Sequence, residues 1–272
     1  MIISRLLPVF LISISGANAV AAEMHTASNH PMEYYLSLPK GWYAGKSWPV
    51  VVVIESANRQ FESAAEHSAA ARGDMPFIVA TPLVVTNGGA RYREVPSYRY
   101  SDDVWARIER DGTCRFDFEG IAAVAADLHA QFGGEEKCFI TGFEAGGHTV
   151  WAYLFHSPES LRAVAPVSPN FAGRCIGADN SSSAAVRAVL PVRVFSGALG
   201  GSGNSGSLLG QSQRAIQTAE ERGFHNVSQT TVPAKGHEPL AEEVFAYFLS
   251  VWKQTEAAAT EQPKSRHIPR PN

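Results

Sequence analysis

The segment that decides the fold of this chain reads KCFITGFEAGGHTVWAYL and spans residues 137–154. Its first five residues, 137–141, predict a buried strand, and the residues after the glycines have helical spacing. Gly142 and Gly146 stand two residues before and two residues after Glu144, which lets the chain pass through a cramped turn. Such a turn exposes its middle side chain above the carboxyl edge of the sheet, at the start of a helix, where the helix dipole favours negative charge. The sequence therefore predicts that Glu144 projects from a strand–turn–helix unit.

Other short apolar runs along the chain predict further strands of the same sheet. Residues 49–54 form a nearly continuous run of valine and isoleucine, which suits a strand that is buried on both faces. The full set of predicted strands covers residues 33–38, 49–54, 77–80, 137–141, 163–167, 192–195 and 227–232. Because the intervals between them are long enough for crossover helices, we expect parallel pairing and an α/β fold.

Two apolar stripes with helical spacing predict helices that face the core. The first stripe ends at Gly133, where the chain can turn into the next strand, and the second follows Pro239. Their members are Ile121, Val124, Ala125, Leu128 and Phe132, and then Leu240, Val244, Phe248 and Trp252. We expect one domain over residues 23–254. Residues 255–272 lack aromatic side chains and are rich in Pro, Lys, Arg, Gln and Ala, so we predict a disordered tail there.

Composition and charge narrow the class of protein. The 272 residues are 45% apolar, and 23 basic against 26 acidic side chains give a formal net charge of −3, which does not suit nucleic acid. Three cysteines without a C-x-x-C pair give no zinc or dithiol motif, and we predict no cofactor. Residues 1–22 carry one charge, an apolar run and small residues near the end, which is typical of a secretory signal peptide. We expect a secreted or periplasmic protein that is not inserted stably in a membrane.

The sequence resembles the α/β-hydrolase family, in particular its secreted esterase branch of feruloyl-esterase-like and polyhydroxyalkanoate-depolymerase-like enzymes. Residues 33–38, the block 118–170 around the turn at Glu144, and residues 236–239, which read GHEP, carry the resemblance. It implies the α/β-hydrolase fold, with an eight-stranded, mostly parallel central sheet flanked by helices and little or no lid domain. It also implies a Ser, acid, His triad in that chain order.

The chain departs from the family pattern at three places. The family has serine at the middle of G-x-S-x-G, where this chain has Glu144. The strand that leads in the family to a His-Gly pair and an oxyanion-hole loop leads here to Glu55 and Ser56. Residues 196–201, which follow the strand that carries the family's acid, contain no carboxylate. Only His237 matches its family role directly, so ordinary serine esterase chemistry is not supported.

A glutamate at this turn has three interpretations. In the first, the protein is a pseudoenzyme that has lost the nucleophile and binds a ligand in the same pocket. In the second, Glu144 attacks an alkyl carbon, as the family's aspartate-bearing haloalkane and epoxide branches do, and a water activated by His237 hydrolyses the resulting ester. In the third, Glu144 is a general base or one of a carboxylate pair with Glu55. These three side chains would also make a metal set, but no H-E-x-x-H signature accompanies them.

His237 stands between the last predicted strand and the last predicted helix, where the family keeps its catalytic base. Its acid partner is either Asp179 or absent. Ser56 lacks the glycine-flanked signature, and we interpret it as a polar loop residue. We therefore assign Glu144, His237 and Glu55 as the catalytic residues of an esterase-like hydrolase that acts on a small molecule or a polymer-derived ligand.

Most of the remaining residues singled out in the sequence are expected to have structural rather than catalytic roles. Cys138, in the strand before the turn, is expected to be buried and inert. Cys114 and Cys175 are expected to lie near each other and to form a disulfide in an exported protein. His148 is interpreted as a structural residue at the start of the helix. An aromatic and basic segment either rims the pocket and binds an acidic or sugar-like ligand, or is a solvated loop. It comprises Arg91, Tyr92, Arg93, Tyr98, Arg99, Tyr100, Trp105 and Arg107.

Overall fold

One eight-stranded sheet runs through the part of the chain that the computed structural model describes, which is residues 22–88, 92–177, 182–199 and 205–261. The strands are β1 (Glu23–Thr26), β2 (Glu33–Ser37), β3 (Val50–Ile54), β4 (Ile78–Pro82), β5 (Cys138–Phe143), β6 (Leu161–Val167), β7 (Val192–Gly197) and β8 (Val227–Val232). The helices are α1 (Phe61–Arg72), α2 (Asp102–Asp111), α3 (Thr113–Phe132), α4 (Ala145–His156), α5 (Ala184–Val189), α6 (Ser205–Glu221) and α7 (Ala241–Glu261). None of these helices is long and apolar enough to cross a lipid bilayer.

The strands lie side by side in the order β1-β2-β4-β3-β5-β6-β7-β8. The first two neighbouring pairs are antiparallel, and all the pairs from β4 to β8 are parallel. The parallel part places the carboxyl ends of β3, β5 and β7 at one edge of the sheet, so the loops that follow these strands meet there. The connection from β6 to β7 holds a loop and the short helix α5 among its described residues.

The continuous valine run of β3 is explained by helices on both faces of the sheet. Val50, Val52 and Ile54 pack into one core with side chains of α3 and α4. Val51 points the other way and packs with side chains of α7, against which α1 also lies. Neither face of the strand is left to solvent, so the alternation of apolar and polar residues that marks a half-buried strand is absent.

The seven predicted strands are confirmed, and none of their ends moves by more than two residues. The short edge strand β1 was not predicted, because four partly exposed residues, EMHT, show no apolar pattern. The last helix runs to Glu261 and so continues into the stretch predicted to be a disordered tail. The alanines at 257–259 are strong helix formers, which explains the extension. Residues 1–21 of the predicted signal peptide (1–22) and residues 262–272 of the predicted tail (255–272) lie outside the described residues.

The structure confirms the predicted disulfide and the predicted buried free thiol. Cys114 and Cys175 form a disulfide with their Cα atoms 5.4 Å apart. Cys114 lies in the first turn of α3, and Cys175 lies in the loop after β6. The bond therefore fixes that loop to α3. Cys138 is a free, buried thiol whose pKa is raised to about 12 by burial, so it is inert at neutral pH.

His30, in the turn between β1 and β2, gives a testable pH dependence. Its ring is 6% exposed, Nδ1 accepts a hydrogen bond from the Met32 N–H at 3.1 Å, and Nε2 has no partner among the described residues. Burial lowers the pKa of His30 to about 4, and the charge of Arg107 contributes to this; Glu119 acts in the opposite direction. Since the unfolded chain takes up this proton near pH 6.5 and the folded chain only near pH 4, stability is lost as pH falls through that window.

We expect the free energy of unfolding to fall by about 2 kcal/mol between pH 7 and pH 4.5 on account of His30 alone. The variant His30→Asn keeps an acceptor for the Met32 N–H but does not titrate, so it should lack this part of the loss. Urea denaturation of both proteins at the two pH values measures the difference. An identical pH dependence in the two proteins would contradict the assignment.

Candidate active site

Glu144 occupies the sharp turn between β5 and α4 in a backbone conformation that side-chain-bearing residues rarely adopt. Its φ is 50° and its ψ is −111°. Three backbone hydrogen bonds hold it there. The Glu144 N–H donates to the Val167 carbonyl at 3.1 Å, and the Glu144 carbonyl accepts from the N–H groups of His148 and Asn170 at 3.1 and 3.0 Å. A strained non-glycine residue of this kind costs about 1–3 kcal/mol and is typical of functional sites.

The glycines on either side of Glu144 are required by close backbone contacts. A Cβ atom at Gly146 would lie 2.2 Å from the carbonyl oxygen of Ile54, and one at Gly142 would lie 2.6 Å from the backbone carbon of Gly146. Any side chain at these positions would therefore push α4 away from the end of β3. The predicted turn is confirmed, and its sequence pattern has a steric cause.

The carboxylate of Glu144 meets the imidazole of His237. Oε1 of Glu144 is hydrogen-bonded to Nε2 of His237. The histidine lies in the loop between β8 and α7, and its ring packs on Phe143 with 4.7 Å between the ring centroids. Both side chains are about one-third exposed, at 32% for Glu144 and 34% for His237. The structure thus brings together two of the three side chains that the sequence assigned to the site, in a pair that solvent can reach.

Gly197, the last residue of β7, has no room for an acidic side chain. A Cβ atom at Gly197 would lie 2.0 Å from the carbonyl oxygen of Gly236 and 2.5 Å from that of Lys235. The backbone of the histidine loop thus packs directly against the position where a side chain would begin. Asp179, the alternative acid, lies outside the described residues. Among the residues that are described, Glu144 is the carboxylate that binds His237.

Glu55 lies near this pair but does not bind it. Its carboxylate accepts hydrogen bonds from the Ser56 hydroxyl at 3.2 Å and from the Gln60 N–H at 3.3 Å, and the Ser56 N–H also donates to it. Burial raises the pKa of Glu55, and the negative charge of Glu144 adds to this. The backbone amides of Ser56 and Gln60, in the loop after β3, are thus directed toward the Glu55 carboxylate. Ser56 is a buried polar loop residue, as predicted.

A buried polar network that the sequence did not predict supports the end of β3. The side-chain amide of Asn87 donates to the Glu55 carbonyl, and its oxygen accepts from the Thr149 hydroxyl of α4 at 2.5 Å. The hydroxyl of Thr86, the residue before Asn87, lies 3.3 Å from that of Thr149 and donates to the fully buried Asp117 of α3 at 2.5 Å. Burial raises the pKa of Asp117 to about 7, although three donors oppose the shift. The network connects β3, the loop after β4, α3 and α4 behind the site.

His148 is a structural residue, as expected. Its Nδ1 accepts from the Ala172 N–H at 3.3 Å, and its Nε2 bonds to the Arg174 carbonyl at 2.8 Å. Burial lowers the pKa of His148, which favours this neutral ring. His148 and the Cys114–Cys175 disulfide therefore fix the loop after β6 on two sides.

Three rings of the aromatic and basic segment lie in the core rather than at the site. Tyr98, Tyr100 and Trp105 are buried and pack against one another in the core. Arg93 is bound by Asp102 and Glu109 at 2.8 and 3.1 Å. The alternation of aromatic and charged residues reflects one buried and one solvated side of the segment. Residues 89–91 lie outside the described part.

The arrangement of donors does not form a metal site. No group of three His, Cys, Asp or Glu side chains in the described ranges is placed to hold a metal ion. The side chains that could have ligated a metal by residue type, Glu55, Glu144 and His237, do not converge on one point, because Glu55 is directed into its own loop.

No family model matches the sequence, and no curated protein matches it. Solved structures do match its shape. A poly(aspartic acid) hydrolase from Sphingomonas sp. KT-1 superposes with a TM-score of 0.60 at 14% identity, over 85% of this chain and 98% of that one. An S-formylglutathione hydrolase from Agrobacterium tumefaciens gives 0.56 at 13% identity, over 89% and 97% of the two chains. A thermophilic esterase from Thermogutta terrifontis gives 0.52 at 15% identity, over 89% and 96%.

The chain has the α/β-hydrolase fold. The mostly parallel eight-stranded sheet with helices packed on both faces, together with the shape matches to these hydrolases and esterases, carries this fold assignment. Identities below 20% establish the shared architecture, whereas the chemistry has to be argued from the site itself.

Proposed function

We propose that the protein is an exported, esterase-like hydrolase in which Glu144 acts with His237 in place of a serine triad. The observation that carries this proposal is the bond between the Glu144 carboxylate, held at a strained turn, and Nε2 of His237. Strain at a solvent-accessible position is maintained where it serves a function. The names of the structural neighbours, which are hydrolases and esterases, agree with the proposed reaction class.

The geometry favours water as the attacking group. A carboxylate that attacks an ester carbonyl would form a high-energy anhydride, whereas a carboxylate–imidazole pair can accept a proton from water. The water oxygen then bonds to the carbonyl carbon, the tetrahedral intermediate expels the alkoxide, and the pair returns the proton to that leaving group. The first amides of α4, at Ala145 and Gly146, lie at a helix N-terminus where developing negative charge is stabilised.

Isotope labelling under single-turnover conditions tests this route. With enzyme in excess over an ester substrate in H₂¹⁸O, attack by water places ¹⁸O in the acid product of the first turnover. Attack by Glu144 on an alkyl carbon would instead leave ¹⁶O in that product and place ¹⁸O in the Glu144 carboxylate, which mass spectrometry of the tryptic peptide detects. A panel of esters, epoxides and haloalkanes selects the substrate.

The alternative is a pseudo-hydrolase that binds a ligand without turning it over. The observation that favours it is the occupation of the Ser56 and Gln60 amides by the Glu55 carboxylate, which leaves an ester oxyanion without those donors. Absence of turnover across the whole panel, with saturable ligand binding, would replace the proposed hydrolase with this alternative.

A further inference from the structure

A pocket of about 670 Å³ lies between α1 and the start of α7, beside the carboxyl ends of β3 and β5. Phe143 and Glu238 line it, and these residues adjoin Glu144 and His237 in the chain. Neither member of the Glu144–His237 pair lines the pocket itself. The pocket is therefore a neighbour of the candidate active site rather than part of it, and its volume is that of a small-molecule site.

The floor of the pocket is apolar. Val53, Ala64, Leu240 and Phe245 contribute to it, together with the ring of Phe143. Leu240 and Phe245 also belong to the core under α7, so the floor is continuous with a rigid part of the molecule. A surface of this kind binds the hydrocarbon part of a ligand by excluding water.

The rim of the pocket carries an excess of negative charge. One lysine, Lys235, lines the pocket. Four carboxylates line it as well: Glu55, Glu238, Glu242 and Glu243. The ammonium of Lys235 lies 3.0 Å from Glu238 and 3.9 Å from Glu243, so it is already engaged. His67 also lines the pocket, with Nδ1 bonded to the Ser63 carbonyl at 2.7 Å.

One carboxylate oxygen in this rim has no hydrogen-bond donor. Oε2 of Glu243 is buried and unpartnered among the described residues. Glu242 and Glu243 lie in the first turn of α7. The Glu243 side chain is 26% exposed through its other atoms, so a cation in the pocket would interact with this carboxylate through its charge rather than by a bond to Oε2.

We propose that this pocket binds a ligand with a cationic ammonium head and an apolar body. The apolar floor accepts the body and the acidic rim accepts the head. An anionic ligand would be repelled by the carboxylates, and a neutral one would leave them unpaired. The proposal goes beyond the hydrolase function and does not depend on it.

Calorimetric titration with three hexyl compounds tests the charge preference. Hexyltrimethylammonium carries the cationic head, hexanol is its neutral analogue and hexyl sulfate its anionic one. At low ionic strength we expect the ammonium compound to bind at least about tenfold more tightly than hexanol, and hexyl sulfate to bind more weakly than either. Equal affinity for the ammonium compound and hexanol, or no binding of the ammonium compound, would overturn the proposal.

Substitutions of pocket-lining residues test whether the ammonium compound binds in this pocket. The double variant Glu242→Gln/Glu243→Gln should weaken ammonium binding about tenfold and leave hexanol binding unchanged. Glu220→Gln, an exposed carboxylate of α6 outside the pocket, is the matched control and should have no effect. Ala64→Phe, which fills the floor from α1, should abolish binding of both ligands, with circular dichroism to verify folding. Equal effects of the double variant and the control would place the ligand elsewhere and contradict the proposal.

The test of ammonium binding and the test of the proposed hydrolase activity can give different results. Glu144→Gln should retain ammonium binding, because Glu144 does not line the pocket. A protein that binds the ammonium compound and turns over no substrate would refute the hydrolase and leave this inference standing. A protein that hydrolyses esters without binding the ammonium compound would do the reverse.

Discussion

Replacing Glu144 with glutamine is expected to lower kcat/KM for the panel substrate by about 10³-fold or more while leaving the fold intact. Glutamine has the same shape and tolerates the same turn, but its amide cannot accept the proton of water, and general-base catalysis typically contributes 10²–10⁴-fold. Steady-state kinetics measure the loss, and thermal unfolding verifies that the variant is folded.

Two companion variants sharpen this test. Glu220→Gln removes a carboxylate from the surface of α6 and should keep full activity. His237→Ala should lose activity to a similar extent as Glu144→Gln, and added imidazole should restore part of it, because the small molecule can occupy the space beside the Glu144 carboxylate. Unchanged activity in Glu144→Gln would remove this residue from the mechanism and leave only the fold assignment.

Replacing Gly146 with alanine is expected to destabilise the protein by about 3 kcal/mol or more, or to prevent folding. The added Cβ would lie 2.2 Å from the Ile54 carbonyl oxygen and 2.9 Å from that of Glu55, and both contacts are with backbone that cannot rotate away. Relief requires α4 to move off β3, which disrupts the core that both elements share. Urea denaturation measures the loss, and any folded fraction should also lose the Glu144–His237 contact.

The matched control for this variant is Gly210→Ala in α6. A Cβ atom there meets only the end of the flexible Arg214 side chain, at 3.8 Å. Since alanine is favoured over glycine inside a helix, this change should raise stability by roughly 0.5–1 kcal/mol. If the two substitutions altered stability alike, the steric account of the turn would be wrong.

The sequence predicted the parts of the molecule that depend on local pattern. The strand–turn–helix unit at Glu144 was predicted because its glycines are spaced for a steric requirement that the structure then displays. The position of His237 followed from its place between the last strand and the last helix, which chain order fixes. The disulfide between Cys114 and Cys175 was predicted from the elements that carry them.

The features that sequence reasoning missed arise from contacts between distant segments. The network of Asp117, Thr86, Thr149 and Asn87 joins residues that share no motif, and its one local signal is an aspartate between two buried phenylalanines in α3. The orientation of Glu55 depends on the fold of its own loop, so the identity of the residue could not show that it faces away from Glu144. The pocket between α1 and α7 depends on how two helices far apart in the chain pack.

The contact between Gly197 and the carbonyl of Gly236 limits how this site can be redesigned. A serine in place of Glu144 would remove the described carboxylate that is bonded to His237. An aspartate at Gly197 would collide with the main chain at Lys235 and Gly236, so a design that places an acid there has to rebuild the histidine loop first.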